Sequence, residues 1–221
     1  MKHENGEDLR LLQLQFIGKI LAGFTHEIKN YLAIIKESNG LIEDLISLGK
    51  TSQGDSEQYL EITRSIEEYI EKTNNLFRYL NRFAHRMDSQ LATFNLNETL
   101  EELIALVTRF ANQKKISIGK DFQEDIPPIY SNPSLVQFVA FSFLHEKIKN
   151  LDNNSKITIQ TAAAENTVKL RIIPEGNFLK GNDDSPSITY EKLEKIIKQL
   201  GGNIVQEKEK ETLITLAMNS P

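Results

Sequence analysis

The sequence lacks several features that mark common classes of protein. It contains no cysteine, so no disulfide framework is available, and this composition is typical of a reducing compartment. No apolar run approaches the roughly 20 residues that a helix needs to span a bilayer. Residues 1–8 are polar and have no signal-peptide core. We therefore expect a cytoplasmic protein without a membrane span.

A basic stripe is also missing from the sequence. The formal net charge is -5 and the calculated pI is about 5.5. Nucleic-acid binding requires clustered Lys and Arg that replace counterions along the phosphate backbone. We therefore expect no nucleic-acid partner. The length of 221 residues is enough for one large domain or two small ones with buried cores.

The first part of the sequence has the spacing of a long amphipathic helix. We expect this helix to run from about Asp8, as the N-cap, to about Leu48, with Gly49 ending it. Its apolar positions alternate steps of four and three residues, which is the spacing of a coiled-coil seam. The seam positions are Ile17, Leu21, Phe24, Ile28, Tyr31, Ile35, Ser38, Ile42 and Leu45.

A second heptad helix follows a polar loop at 49–56. Its seam positions are Tyr59, Ile62, Ile66, Tyr69, Thr73, Leu76, Leu80, Phe83 and Met87. Two such helices joined by a short loop predict an antiparallel hairpin. A hairpin buries only one side of each helix well, so the pattern predicts a homodimer in which two hairpins form a four-helix bundle.

One polar constellation lies on the outer face of the first helix. The seam register points His26 and Asn30 outward, one turn apart, and Glu27 follows the histidine directly. A carboxylate beside an imidazole can fix its tautomer and make the other ring nitrogen a better nucleophile. Asn30 can orient a water or a phosphoryl oxygen. From these residues alone, a surface histidine on a simple dimerisation stalk is the more common interpretation, and a catalytic histidine is the alternative.

From residue 91 the periodicity changes and predicts a second unit of mixed α and β structure. We expect strands at 91–96, 115–122, 156–161, 167–173, 203–206 and 212–217, and helices at about 97–113, 133–150 and 190–200. Asn97 is the expected N-cap of the first of these helices. The predicted fold class is α+β, with a helical-hairpin domain at 8–90 and a small α/β sandwich at 91–221.

The sequence HEIKN from His26 to Asn30, followed by Leu32, resembles the H-box of two-component histidine kinases, in which the histidine carries a phosphoryl group. Tyr31 stands where that family usually has a proline that kinks the helix. The order of elements after residue 91 resembles the ATP-binding domain of the same kinases, so the resemblance covers nearly the whole chain. It implies that His26 is the catalytic phosphoacceptor and that Glu27 and Asn30 assist it.

The chain departs from the family at the residues that bind nucleotide. A gapless comparison places Ser142 and Glu146 at the two asparagine positions of the family's N-box, and Glu146 at the magnesium-holding one. The aspartate that reads adenine falls at Pro174, which has no side-chain acceptor. The glycines that approach the phosphates fall at 187–189, where side chains are present. We therefore expect no ATP cofactor and no bound metal in this chain.

Three functions follow from this resemblance. The first is a histidine phosphotransfer protein of a phosphorelay, which passes a phosphoryl group between His26 and the aspartates of response-regulator receiver domains, with Mg²⁺ held by the receiver. A sensor kinase is a possible further partner. The second is an active histidine kinase with an unusual ATP site, and the third is a non-catalytic regulator that docks onto a kinase or receiver. Replacing His26 by glutamine would abolish the first two and leave the third.

Overall fold

The computed structural model describes residues 2–49, 55–179, 189–206 and 211–218. Two long helices, α1 (Lys2–Ser47) and α2 (Asp55–His85), form the first part of the chain. The predicted helix start at Asp8 is wrong, because α1 begins at Lys2 and Asp8 lies inside it. The leader contains good helix formers such as lysine and glutamate and no proline, so nothing stops the helix from extending toward the terminus. Most of the predicted loop between the helices lies outside the described residues.

Aromatic pairs show that α1 and α2 run antiparallel. Phe16 packs on Phe83 with ring centroids 5.4 Å apart, whereas Tyr31, further along α1, packs on Tyr69, earlier in α2, at 5.5 Å. The predicted hairpin is therefore observed. Gly49 has a φ of 68°, a left-handed conformation that ends α1 at little cost for glycine.

The remaining chain alternates strands and helices, and the predicted α+β class is confirmed. Its elements are β1 (Ala92–Phe94), α3 (Leu96–Gln113), β2 (Ser117–Phe122), β3 (Ile129–Ser131), α4 (Pro133–Asn150), β4 (Lys156–Ala164), β5 (Thr167–Glu175), α5 (Tyr190–Gln199), β6 (Asn203–Gln206) and β7 (Thr212–Ala217).

Five strands form one mixed sheet in the order β2-β4-β5-β7-β6. Strand β2 is parallel to β4, and the other neighbours are antiparallel. Alternate residues of β4, β5 and β7 are buried, so one face of the sheet packs against helices, as period-two patterning requires. The buried residues on the cover helix α5 are Leu193, Ile196 and Ile197. These layers make the predicted α/β sandwich.

The start of α3 differs from the prediction. Asn95, not Asn97, is the N-cap: its side chain accepts hydrogen bonds from the backbone N–H groups of Asn97 at 2.8 Å and Glu98 at 3.3 Å. The side chain of Asn97 instead donates to the carbonyl oxygen of Gln123 at 2.8 Å. Both asparagines are suitable caps by residue type, and tertiary contacts decide between them. The short strand β3, which pairs with β1, was not predicted.

The hairpin packs onto the α/β sandwich through the N-terminal half of α1. The ring centroid of Phe16 lies 5.7 Å from that of Phe138 and 4.7 Å from that of Phe141, both in α4. Gly23 allows α1 to approach α3, because a Cβ at this position would lie 3.0 Å from the ring of Phe110. The buried apolar residues of the two parts consequently form one continuous cluster.

Candidate functional site

His26 lies at the middle of α1 with its side chain exposed, and Asn30 is exposed one turn further on. This orientation agrees with the register expected from the heptads. Thr25 and Lys29 are also exposed, so the imidazole is on a polar, accessible strip of the helix. The strip is able to meet a docking protein surface without unfolding of α1.

Arg109 reaches this strip from α3. Its guanidinium Nη1 contacts Nδ1 of His26, and the same Nη1 lies 4.0 Å from Oε2 of Glu27. The Arg109 side chain is only 14% exposed and that of Glu27 21% exposed, so both charges are largely withdrawn from water. Arg109 was not among the predicted site residues. The two parts of the chain thus meet directly at the histidine.

Glu27 is engaged on its other side by Tyr31. The phenol of Tyr31 donates a hydrogen bond to Glu27, and the pKa of Tyr31 is raised to about 12, mainly by burial and then by the neighbouring Glu27 charge. Tyr31 also packs against Tyr69 of α2, and α1 continues as one helix through this position. The predicted action of Glu27 on the His26 ring stays a prediction, because the carboxylate is held by Tyr31 and faces Arg109.

A cavity of about 250 Å³ adjoins these side chains between α1, α2 and α3. Its polar wall includes Glu27, Tyr31, Lys72, Asn75 and Arg109. Lys72 forms an ion pair with Glu68 of its own helix at 2.6 Å. Glu27 and Arg109 therefore border free volume, and each has room to change its side-chain conformation.

A second histidine lies at the contact between the hairpin and the sandwich. The ring of His145 in α4 has its centroid 5.8 Å from that of Phe110 and 5.2 Å from that of Phe141. Burial, followed by the positive charges of Lys19 and Lys149, lowers the pKa of His145 from 6.5 to about 4. The ring is therefore neutral near pH 7. His145 also faces Lys19, whose own pKa is lowered by burial and by Lys149.

The positions compared with the kinase nucleotide site hold few groups suited to a nucleotide. The hydroxyl of Ser142 donates back to the carbonyl oxygen of Phe138 at 2.7 Å, and Glu146 is exposed. Pro174 lies in β5 opposite Ile157 of β4. It lies beyond the part of β5 that pairs with β7, so the N–H that proline lacks is not needed for a hydrogen bond to β7.

Three further observations concern the extent of the described residues and what they contain. Residues 187–188 of the predicted phosphate segment lie outside the described residues. Within the described ranges, no group of three or more His, Asp or Glu side chains is placed to hold a metal ion. Across those same ranges, no helix has the length and apolar character needed to cross a membrane.

Comparison with known proteins gives relatives of one kind. The chain is 26% identical over 149 residues to the signal transduction histidine-protein kinase AtoS of Escherichia coli, a match that covers 67% of this chain and 23% of AtoS. It is 26% identical over 145 residues to the cell-division control histidine kinase PdhS of Brucella anthropi, covering 65% of this chain and 14% of PdhS. The matched region is thus less than a quarter of either relative. No protein-family model matches the chain.

Solved structures show the same fold. The Acinetobacter baumannii histidine kinase AdeS aligns with a TM-score of 0.50 at 18% identity, over 88% of this chain and 98% of that one. The nucleotide-free catalytic domain of histidine kinase ThkA aligns with a TM-score of 0.54 at 16% identity, over 60% of this chain and all of that domain. The chain is therefore similar to histidine kinases in sequence, and its fold is similar to that of their catalytic domain.

Proposed function

We propose that the chain is a histidine phosphotransfer protein of a two-component phosphorelay, with His26 as the phosphoacceptor. The proposal rests mainly on one observation: an exposed His26, with Glu27 and Asn30 beside it, stands on a kinase-like scaffold whose nucleotide positions carry Ser142 and Pro174. In this proposal the phosphoryl group comes from a receiver aspartate, so the chain needs no ATP. The protein acts in the cytoplasm.

The transfer chemistry places few demands on this chain. A ring nitrogen of His26 attacks the phosphorus of an aspartyl phosphate, an N–P bond forms, and the O–P bond to the receiver carboxylate breaks. A Mg²⁺ ion held by the receiver would supply charge neutralisation for the transferred oxygens, and the proton leaving the imidazole passes to Glu27 or to water. The chain supplies the nucleophile and its orientation.

Residues 8–90 form the dimerisation and phosphoacceptor domain in this proposal, and residues 91–221 form a degenerate kinase-type domain. Exposed apolar side chains on the hairpin support a homodimer, since large exposed apolar surfaces usually mark interfaces. Three of those on α1, Leu21, Leu32 and Ile46, recur at intervals of three and four turns and so share one face. Those on α2 include Leu60, Ile70 and Phe77.

The proposal is tested with a phosphorylated receiver domain as donor and His26→Gln as the variant. We expect the wild type to gain an acid-labile phosphoryl group and the variant to gain none. His85→Gln is the matched control, because His85 is also an exposed helical histidine but lies far along the hairpin from Asn30. Phosphorylation of the His26 variant would contradict the assignment and favour a docking regulator.

Titration calorimetry with ATP and Mg²⁺ separates the phosphotransfer protein from an active kinase. We expect no saturable binding, because Pro174 offers no acceptor to the adenine amino group. Micromolar binding together with labelling of His26 by ATP would instead support an unusual kinase.

Glu27 and Asn30 have distinct expected roles. Glu27→Ala should slow transfer while leaving the fold intact, since the carboxylate acts on a proton and is only partly buried. Asn30→Ala should affect hydrolysis of the phosphohistidine more than transfer if the amide orients water, and should affect both rates equally if the amide only contacts the receiver. Parallel measurement of transfer and hydrolysis rates distinguishes these outcomes.

A further inference from the structure

We propose that Arg109 is a positioning residue that holds His26 in an unreactive tautomer until α3 moves away from α1. The contact between the Arg109 guanidinium and Nδ1 of His26 carries this inference. Its consequence for phosphotransfer rests on the proposed function, whereas its effect on the imidazole does not.

The polarity of this contact decides which ring nitrogen carries the proton. An arginine side chain stays protonated in proteins and can only donate hydrogen bonds, so Nδ1 of His26 must accept. In the neutral ring the single proton then lies on Nε2. The lone pair of Nδ1 is occupied by Arg109, and Nε2 has no lone pair in the ring plane. Neither nitrogen is available as a nucleophile in this arrangement.

Neighbouring contacts hold the guanidinium in place. Glu27 lies 4.0 Å from the same Nη1, and attraction between two largely buried charges is stronger than in water. The next residue, Phe110, packs over Gly23, where the absence of a side chain permits a close approach of α3 to α1. The adjoining cavity gives Arg109 a place to move when the contact is released.

Withdrawal of Arg109 would free the lone pair of Nδ1 and allow the imidazole to change its tautomer. His26 is exposed, so once Arg109 withdraws, water can move the proton between the two nitrogens, and the Nδ1–H tautomer leaves the lone pair of Nε2 free. Withdrawal also frees Glu27 from the guanidinium. The contact therefore couples the reactivity of His26 to the docking of the kinase-like domain on the hairpin.

His85 provides an internal reference, because its Nδ1 donates a hydrogen bond whereas Nδ1 of His26 accepts one. Its Nδ1 lies 2.7 Å from Oδ2 of Asp88, and its side chain is 67% exposed. A carboxylate accepts hydrogen bonds, so in the neutral ring of His85 the proton lies on Nδ1 and the lone pair of Nε2 is free. Within one molecule, His85 should be the reactive imidazole and His26 the protected one.

The test uses diethyl pyrocarbonate, which acylates the unprotonated nitrogen of an imidazole and requires no phosphoryl chemistry. The ring nitrogen attacks a carbonyl carbon, a C–N bond forms, and the C–O bond to the ethyl carbonate leaving group breaks. The ring proton passes through water to the ethyl carbonate, which decomposes to ethanol and carbon dioxide. Mass spectrometry of peptides measures the ratio of the His26 rate to the His85 rate in the full chain.

We expect this ratio to be low in the wild type and to rise roughly tenfold or more in Arg109→Met. A charge-assisted hydrogen bond favours the bound imidazole over the released one by a factor on the order of ten or more. Arg109→Lys keeps a charged donor and should keep the ratio low. Arg64→Met, which removes an exposed arginine of α2, should leave it unchanged. Gly23→Leu should raise it without altering Arg109, by pushing Phe110 and α3 from α1.

Nitrogen-15 spectra of the wild type test the tautomer without any substitution. The proposal requires Nε2–H and a hydrogen-bonded, unprotonated Nδ1 at His26. A proton on Nδ1, or equal acylation of His26 and His85 in the wild type, would overturn it even if Arg109→Met did not fold.

Phosphoramidate separates this inference from the proposed function. Transfer from it forms an N–P bond to His26, breaks the P–N bond of the donor, and delivers the ring proton to the ammonia that leaves. Faster acylation in Arg109→Met without any phosphorylation of His26 by phosphoramidate or by a phosphorylated receiver would retain the inference and reject the proposed function. Faster phosphorylation with unchanged acylation would retain the function and reject the inference.

Discussion

Acidification should weaken the contact between the hairpin and the α/β sandwich through His145. Burial, Lys19 and Lys149 lower the pKa of this histidine from 6.5 to about 4 in the folded chain. Between these two values the unfolded chain binds more protons than the folded chain, so the free energy of unfolding falls as the pH falls. The effect is nearly absent above pH 7 and is complete only below about pH 4.

The size of the effect follows from the two pKa values. Between pH 7 and pH 5, full expression of the shift would lower the free energy of unfolding by about 2 kcal/mol. The ring retains partial contact with solvent, which reduces the expected loss to about 1 kcal/mol. The positive charges of Lys19 and Lys149 act in the same direction as burial.

The assay is urea unfolding at a series of pH values for the wild type and His145→Phe. Phenylalanine can stay in the aromatic contacts with Phe110 and Phe141 but cannot titrate. The difference between the two proteins removes the common contribution of the carboxylates. We expect wild-type stability to fall relative to the variant between pH 6.5 and pH 5. Parallel pH profiles for both proteins would refute the assignment of the acid sensitivity to His145.

Two further predictions concern packing and buried charge. Ile28→Asp should convert the proposed dimer to monomer, because it places a charge in the heptad seam. Lys29→Asp on the outer face should leave the dimer intact. Sedimentation measures both, and a dimeric Ile28 variant would contradict the four-helix bundle. Glu102→Gln should cost about 2 kcal/mol or more in chemical unfolding, because the carboxylate is 1% exposed and binds Arg86 at 2.9 and 3.2 Å. Glu101→Gln, at a half-exposed ion pair, should cost less than about 1 kcal/mol, and equal losses would refute this reasoning.

Local patterns were sufficient to predict the last part of the fold. Strands β6 and β7 coincide with the predicted ranges 203–206 and 212–217. Alternating side chains and the glycine pair before β6 specify them: Gly201 adopts a φ of 74°, and a Cβ at Gly202 would collide with the carbonyl oxygen of Thr215. The positive φ of Gly201 is a local signal that ends α5, whereas the need for glycine at 202 comes from the close approach of β7.

Features that depend on distant contacts were predicted less well. Asn95 and Asn97 are equally suitable caps in sequence, and only the pairing of Asn97 with Gln123 and Thr161 explains its actual position. Strand β3 has three residues, too few for a recognisable period, and exists because it pairs with β1. The heptads predicted the hairpin but not its packing onto α4, since a seam pattern does not identify its partner.

At the candidate site, too, local features were predicted and contacts between distant residues were not. The outward orientation of His26 follows from helical periodicity and was predicted, whereas Arg109 lies 83 residues away in sequence and has no local signal. The pattern of buried positions on α3 would indicate only that this helix packs against something. Gly23 did not identify the contact either, because Gly18 and Gly40 are also interior glycines of α1 and have no atom within 4 Å of a Cβ position.

The two interpretations of Glu27 describe different states of one site. From the sequence, Glu27 was expected to act on His26, and in the structure it faces Arg109 and accepts from Tyr31. Under our proposals, withdrawal of Arg109 changes two groups together: His26 regains a free lone pair, and Glu27 no longer faces the guanidinium. A single movement of α3 away from α1 would then switch the site.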